Sequence, residues 1–160
     1  NIDRVFQAYE KLSPRLAMPK LIAILPGYTR HVTIDGVTVI TGRVTQKDLA
    51  VWYSGALAFL FPSLHETFGM PILEAMAGGC PVIPSSTTAC AEVADYAALL
   101  VDPYSVDAIS TAMKRIMNDT PLRQGLKQKG INRAQLGTVR DIAKMLLYLA
   151  DKVEHEDKDN

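Results

Sequence analysis

Cysteine is scarce in this sequence: Cys80 and Cys90 are the only two among 160 residues. They form no C-x-x-C pair and no histidine stands at ligand spacing from them, so no zinc or other metal site is expected. Two buried free thiols in a reducing compartment is the reading they support, which makes the cytoplasm the expected location. Charge of one sign is lacking too. Lys plus Arg number 17 and Asp plus Glu number 17, for a formal net charge of zero. A balanced chain has no broad basic field of the kind that nucleic acid or an anionic membrane surface requires, although a local basic pocket for one diphosphate is compatible with it. Long apolar runs are absent as well. A membrane span needs roughly 18 apolar residues, and the longest run here, Ala56 to Phe61, is strand-sized. No transmembrane segment is expected, and peripheral membrane contact of a longer protein stays open. The opening Asn1-Ile2-Asp3-Arg4 is polar, unlike a secretory leader, and lacks a starting Met. The chain is therefore expected to be a piece of a longer protein.

What is present is a chain with 48% hydrophobic residues, enough for one globular domain with a sizeable core. Ile2, Val5, Phe6 and Tyr9 recur at helical spacing and predict a helix over residues 3–12, ended by Ser13-Pro14. Short apolar runs at 20–25, 37–41, 56–61, 81–84 and 98–101 predict strands. Helices are expected between them: from Gln46 with Thr45 as cap, over Met70 to Ala77 with Gly78-Gly79 as the stop, and for a turn or two over Cys90 to Asp95. Ser105 caps a further helix to about Asn118, Thr120-Pro121 starts another, and Thr138 caps a last one to about Glu154. Alternating helices and continuously apolar strands mean a parallel sheet covered on both faces, hence an α/β, doubly wound, Rossmann-like fold. Such a domain usually opens on a strand, and this chain opens on a helix. A first strand is inferred to be missing or to lie upstream.

In an open parallel sheet, ligands bind at the carboxyl ends of the strands, beside helix N-termini. The richest strand-to-helix turn runs from Phe61 to Glu74. Pro71 suits the first position of a helix, where its missing N–H is not needed. Glu74 is expected in the first turn, near the positive end of the helix dipole, and Glu66 in the loop before it. Gly69 permits close backbone approach, and free N–H groups are expected around Gly69, Met70 and Ile72. Carboxylates suit vicinal sugar hydroxyls and helix-terminal N–H groups suit phosphate, so together they match a sugar nucleotide. Taken alone, Glu74 could equally be a first-turn glutamate that stabilises its own helix by about 0.3–1 kcal/mol, and Glu66 a solvated loop acid.

The segment Glu66-Thr67-Phe68-Gly69-Met70-Pro71-Ile72-Leu73-Glu74 resembles the signature of the family 4 retaining glycosyltransferases, two glutamates with seven residues between them, F-G-x-P among these. So do Thr41-Gly42-Arg43-Val44 upstream and Gly79-Cys80-Pro81-Val82-Ile83, Ala91-Glu92-Val93 and Ala98 to Pro103 downstream. The resemblance covers about residues 1–136. It implies the C-terminal, donor-binding half of a GT-B architecture. It also implies transfer of a hexosyl group from a nucleotide diphosphate sugar to an acceptor, with retention of anomeric configuration. No metal or other cofactor is implied, the donor being a co-substrate. Glu74 would bind the ribose hydroxyls. Glu66 would contact the transferred sugar nearest the reacting centre, as the catalytic candidate. Thr67 belongs to the same donor-binding loop; Phe68, Gly69 and Met70 would offer backbone N–H groups to sugar and phosphate; and Arg43 and Val44 would flank the base. The sequence departs from the family in Thr67, where Gly is commoner, and in Thr87-Thr88-Ala89-Cys90-Ala91. It also lacks the Arg and Lys that usually follow the first strand of this half.

The expected organisation is a nucleotide-sugar-binding domain over 1–136, a C-terminal helix over 137–154 and a frayed tail over 155–160. The N-terminal acceptor domain is the absent partner, and the isolated chain is expected to be inactive. A stand-alone nucleotide-sugar-binding or partner-docking module without catalysis is the alternative. His65 reads as a bystander, Trp52 and Tyr53 as packing residues, and Met113 and Met117 as helix core. Ile142, Met145, Leu146 and Leu149 form an apolar stripe that would fold back on its own domain or pair a second copy into a homodimer.

Overall fold

The computed structural model describes residues 1–12 and 18–136. Helix α1 (Ile2–Leu12) buries Val5, Phe6, Ala8, Tyr9 and Leu12 along one face, as the helical spacing requires. The Tyr9 hydroxyl donates to the Pro19 carbonyl at 3.0 Å, which satisfies it inside the core. Burial, and then the charge of Asp35, pushes the Tyr9 phenol pKa upward.

Strand β1 (Leu21–Ile24) pairs in parallel with β2 (Val37–Ile40), Leu21 opposite Val37 and Ile24 opposite Ile40. Strand β3 (Phe59–Phe61) pairs in parallel with β4 (Val82–Pro84), Phe59 opposite Val82 and Phe61 opposite Pro84. Beyond β4, Val101 lies parallel to Ser85, held by N–H donation from Leu99 to Val82 O at 3.0 Å and from Val101 to Pro84 O at 3.1 Å. The expected strand over 98–101 is thus a single bridge. The expected strand over 56–61 is also shorter, because the Ala56 N–H donates to Trp52 O at 3.0 Å and closes the preceding helix. Among the described residues the sheet falls into two parts, β2–β1 and β3–β4, each parallel.

The helices alternate with these strands: α2 (Gln46–Gly55), α3 (Met70–Ala77), α4 (Ala89–Ala94) with a 3-10 turn over Asp95–Ala97, α5 (Val106–Asn118) and α6 (Thr120–Leu136). Thr45 and Asp48 form a reciprocal capping box at the start of α2. Ser105 Oγ accepts from the Ala108 N–H at 3.1 Å and opens α5. Asp119, not anticipated as a cap, accepts from the Leu122 N–H at 2.8 Å and opens α6.

The period-two alternation of the strands separates two cores. Leu60 and Ile83 join Val5, Tyr9, Ile109 and Met113 beneath α1 and α5. Phe59, Phe61 and Val82 point the other way, into Tyr53, Ile72, Met76 and Val93 around α3 and α4. A sheet with a hydrophobic core on each face is the doubly wound arrangement the alternating pattern predicts. Cys80 and Cys90 are both free and buried in the second core. Trp52 departs from its expected packing role, with 43% of its surface exposed, whereas Tyr53 beside it is buried. The segment carrying Ile142, Met145, Leu146 and Leu149 lies outside the described residues.

Candidate functional site

The turn after β3 is built by short-range contacts. Ser63 Oγ donates to the His65 carbonyl at 3.0 Å, which curls the loop before Glu66. Glu66 Oε1 accepts from the Thr67 N–H at 3.1 Å. Gly69 is buried with φ +90°, a left-handed conformation that a residue with a Cβ adopts only at a cost. A Cβ at that position would lie 3.1 Å from Ile72 Cδ1 and 3.5 Å from Glu66 Cγ. The stem of Glu66 therefore folds over Gly69, at the N-terminus of α3. Phe68 and Met70 flank the glycine with 37% and 39% of their surfaces exposed, apolar groups presented to solvent at the lip of the turn.

Two details of the expected site change. Pro71 is the second helical residue of α3, because the left-handed Gly69 acts as N-cap and Met70 is already helical. Glu74 consequently lies in the second turn, where the helix-dipole contribution has largely fallen away. The Ile72 N–H is not free, since it donates to the Gly69 carbonyl at 2.9 Å. The backbone N–H groups of Phe68, Gly69 and Met70 take no acceptor among the described residues, and they cluster at the same helix start. Thr67 differs from these three, because its N–H is already committed to Glu66.

Glu74 is half-buried and stands beside Tyr53 of α2. Burial, then the charge of Glu74, then Cys80, pushes the Tyr53 phenol up to about 12. Its ring packs edge-on against Phe59, with centroids 5.2 Å apart. Tyr53 therefore fixes the helix that carries Glu74 against β3, the strand whose turn carries Glu66. Arg43 is exposed and Val44 half-buried, just before the capping box of α2. His65 is exposed.

The loop after β4 has a fixed shape of its own. Ser85, fully buried, shares a 2.8 Å hydrogen bond with the Thr87 hydroxyl and accepts from the Thr87 N–H at 3.1 Å. Thr88 takes φ 63° and accepts from the Cys90 N–H at 3.4 Å, so its acceptor capacity serves α4. The roles of Ser63 and Ser85 in shaping these turns were not anticipated. The signal available was a serine two residues ahead of its bonding partner in a loop, which is common and weak. Among the described residues no cluster of His, Cys, Asp and Glu could hold a metal ion, and no helix is long and apolar enough to cross a membrane.

A parallel sheet with an acid-bearing turn at a strand's carboxyl end, folded over a glycine at a helix start, defines a class of site before it defines a substrate. The family model for glycosyl transferases group 1 matches residues 28–133, and the chain belongs to that family. It is 34% identical over 145 residues to O-antigen chain mannosyltransferase B of Escherichia coli, covering 84% of this chain and 38% of that protein. It is 30% identical over 135 residues to the MMP alpha-(1->4)-mannosyltransferase of Mycolicibacterium hassiacum, covering 82% of this chain and 31% of that one. The chain thus spans well under half the length of these relatives. Among solved structures it is similar to sucrose-phosphate synthase from Thermosynechococcus elongatus, with a TM-score of 0.79, 24% identity, and 98% of this chain and 44% of that one covered. It is also similar to alpha,alpha-trehalose 6-phosphate synthase from Burkholderia multivorans, with a TM-score of 0.84, 14% identity, and 97% and 40% covered. These structural likenesses concern the fold, which is the Rossmann-like half of a GT-B architecture.

Proposed function

We propose that residues 1–136 bind the nucleotide diphosphate sugar of a retaining hexosyl transfer, and that the transferred hexose is mannose. The observation that carries this reading is the Glu66–Glu74 turn. Its three N–H groups without acceptors among the described residues, at Phe68, Gly69 and Met70, suit the oxygens of a diphosphate or sugar. Glu66, held against Gly69, is the acid assigned to the transferred sugar and the catalytic candidate. Glu74, one helical turn further on, is assigned to the ribose hydroxyls, and Thr67 to the same loop's contact surface. Arg43 and Val44 are assigned to the edge of the base. No metal ion takes part in this reading; N–H dipoles meet the charge developing on the leaving diphosphate. The mannosyltransferase relatives support the choice of sugar. Two buried free thiols fit a reducing compartment, which supports the cytoplasm as the place of reaction. The acceptor site is assigned to a further domain of a longer protein, so the isolated chain is expected to bind donor without transferring it.

Calorimetric titration of GDP-mannose and UDP-glucose into the chain and its variants tests the assignment. Glu74→Gln removes a charged acceptor whose hydrogen bonds are worth about 1.5–3 kcal/mol, so donor affinity should fall by roughly ten- to a hundredfold. Glu66→Ala should weaken the nucleotide sugar while leaving the nucleoside diphosphate bound as before. In a longer polypeptide carrying this domain it should lower turnover more than binding. Unchanged affinity in Glu74→Gln, or equal losses for sugar nucleotide and nucleotide in Glu66→Ala, would remove the division of roles.

A further inference from the structure

The loop after β1 holds an aromatic ring that has no core to pack in. Leu25, Pro26, Gly27 and Tyr28 make a tight turn: the Tyr28 N–H donates to Leu25 O at 3.0 Å, Pro26 holds the second position, and Gly27 takes φ +76° at the third. Those are the residue types that a type II turn requires. The Gly27 N–H donates to Thr41 O at 3.1 Å, which braces the turn on the chain just past β2. Tyr28 is half-buried, yet it joins neither hydrophobic core, and among the described residues its ring pairs with no other aromatic. Its partner is Arg30, whose guanidinium lies 5.2 Å from the ring centroid. Arg30 Nη2 in turn donates to Asp3 Oδ1 of α1 at 2.5 Å. The ring is thus placed by a turn of fixed shape and steadied by a cation that is anchored on a different element.

β1 and β2 run parallel, so the Tyr28 turn and Gly42-Arg43-Val44 leave the sheet at the same, carboxyl end, where ligands of such sheets bind. Arg43 stands two residues past Thr41, at most about 7 Å of chain. Helix α1 ties this rim to the Glu66 turn: its Asp3 holds Arg30, and the side-chain amide of Asn1 donates to Pro62 O, just past β3, at 2.8 Å. Arg43 and Val44, assigned to the edge of the base, offer it no aromatic face. We propose that the Tyr28 ring is the stacking platform for the base of the donor nucleotide, with Arg30 as the positioning residue that holds the ring. The proposal rests on the nucleotide-sugar reading of the Glu66–Glu74 turn and adds to it a side chain that binds the base itself. Every base has a π face, so stacking on Tyr28 supplies affinity for the nucleoside end of the donor and leaves the choice among bases to the edge contacts.

Calorimetric titration of GDP, with the bound base followed by NMR, tests the assignment. Tyr28→Leu keeps an apolar side chain and removes the π face, so GDP affinity should fall by roughly five- to a hundredfold. Tyr28→Phe keeps the face and should stay within about threefold of the unmodified chain. In the unmodified chain, the base protons of bound GDP should show nuclear Overhauser contacts to the Tyr28 ring, a readout that does not depend on the folding of any variant. Unchanged GDP affinity in Tyr28→Leu, equal losses in the Leu and Phe variants, or bound GDP without contacts to the ring would overturn the platform. If Glu74→Gln still weakens GDP-mannose in that case, the reading of the Glu66–Glu74 turn stands without it. Failure of the unmodified chain to bind either GDP or GDP-mannose removes both.

Discussion

The two halves of the sheet are alike in chain and unlike in surroundings. β1 and β4 are both short, apolar and paired in parallel, yet Val82, Ile83 and Pro84 are all buried while in β1 only Ala23 is. The difference lies in the neighbours. β4 has β3 on one edge, the Val101 segment on the other, and a helix layer on each face. β1 has β2 on one edge and, among the described residues, no strand on the other. An apolar strand of a parallel sheet is buried by what surrounds it on four sides, and its own composition supplies only the opportunity.

Core truncation should sharpen this contrast most. Ile72, fully buried on α3, should lose about 2–5 kcal/mol on replacement by Ala, read from urea unfolding. Ile24→Ala, in half-exposed β1, should lose less than half as much. Equal losses would mean that β1 is as well enclosed in solution as the other half.

A smaller effect separates two glycines. Gly69→Ala puts a side chain at φ +90° and 3.1 Å from Ile72 Cδ1, so about 1–2 kcal/mol should be lost along with donor affinity. Gly42→Ala, with nothing within 4 Å and no left-handed φ, should leave the melting temperature within a degree or two. A silent Gly69→Ala would show that the turn relaxes at will.

The smallest effect concerns pH. Burial pushes the Cys80 thiol up to about 12 from 9.0, and Tyr53 up to about 12 from 10.0. Both groups hold their protons more tightly when folded. Their contribution is therefore complete below pH 9 and is lost as pH rises toward 12, by at most about 1.4 kcal/mol per pH unit for each group. Unfolding followed from pH 8 to 11 should show this decline. Cys80→Ala should flatten its lower part, and an unchanged slope in that variant would exclude the thiol as its source.

Much of this architecture was legible in the sequence because its signals are local. The stop of α3 after Ala77 and the start of α5 at Val106 follow from a Gly-Gly pair and a serine cap, each satisfied within a turn. The pairing of the two acids with F-G-x-P was legible as a resemblance. The turn geometry was not, because a left-handed Gly69 caps the helix, which puts Pro71 at its second position and leaves Glu74 beyond the first turn. Residues 56–58 read as strand because Ala56-Leu57-Ala58 is apolar, but the Ala56 N–H closes α2 instead. Asp119 was passed over since Thr120-Pro121 alone already signalled a helix start.

That aspartate joins α5 to α6 with no slack. Its N–H closes α5 on Arg115 O at 2.9 Å while its carboxylate opens α6 on Leu122 N, so a single residue is both full stop and capital letter. Arg123 stitches the corner by donating to Ile116 O and to Met117 O at 2.5 and 3.0 Å. α5 rests on α1, beside one core, while α6 rests on α3, where Gly130 meets Met76. The two helices therefore behave as one bent bracket that straddles the domain. An insertion in the exposed stretch 29–31 would be absorbed as a longer surface loop, whereas one at Asp119 would unlock both arms of the bracket at once.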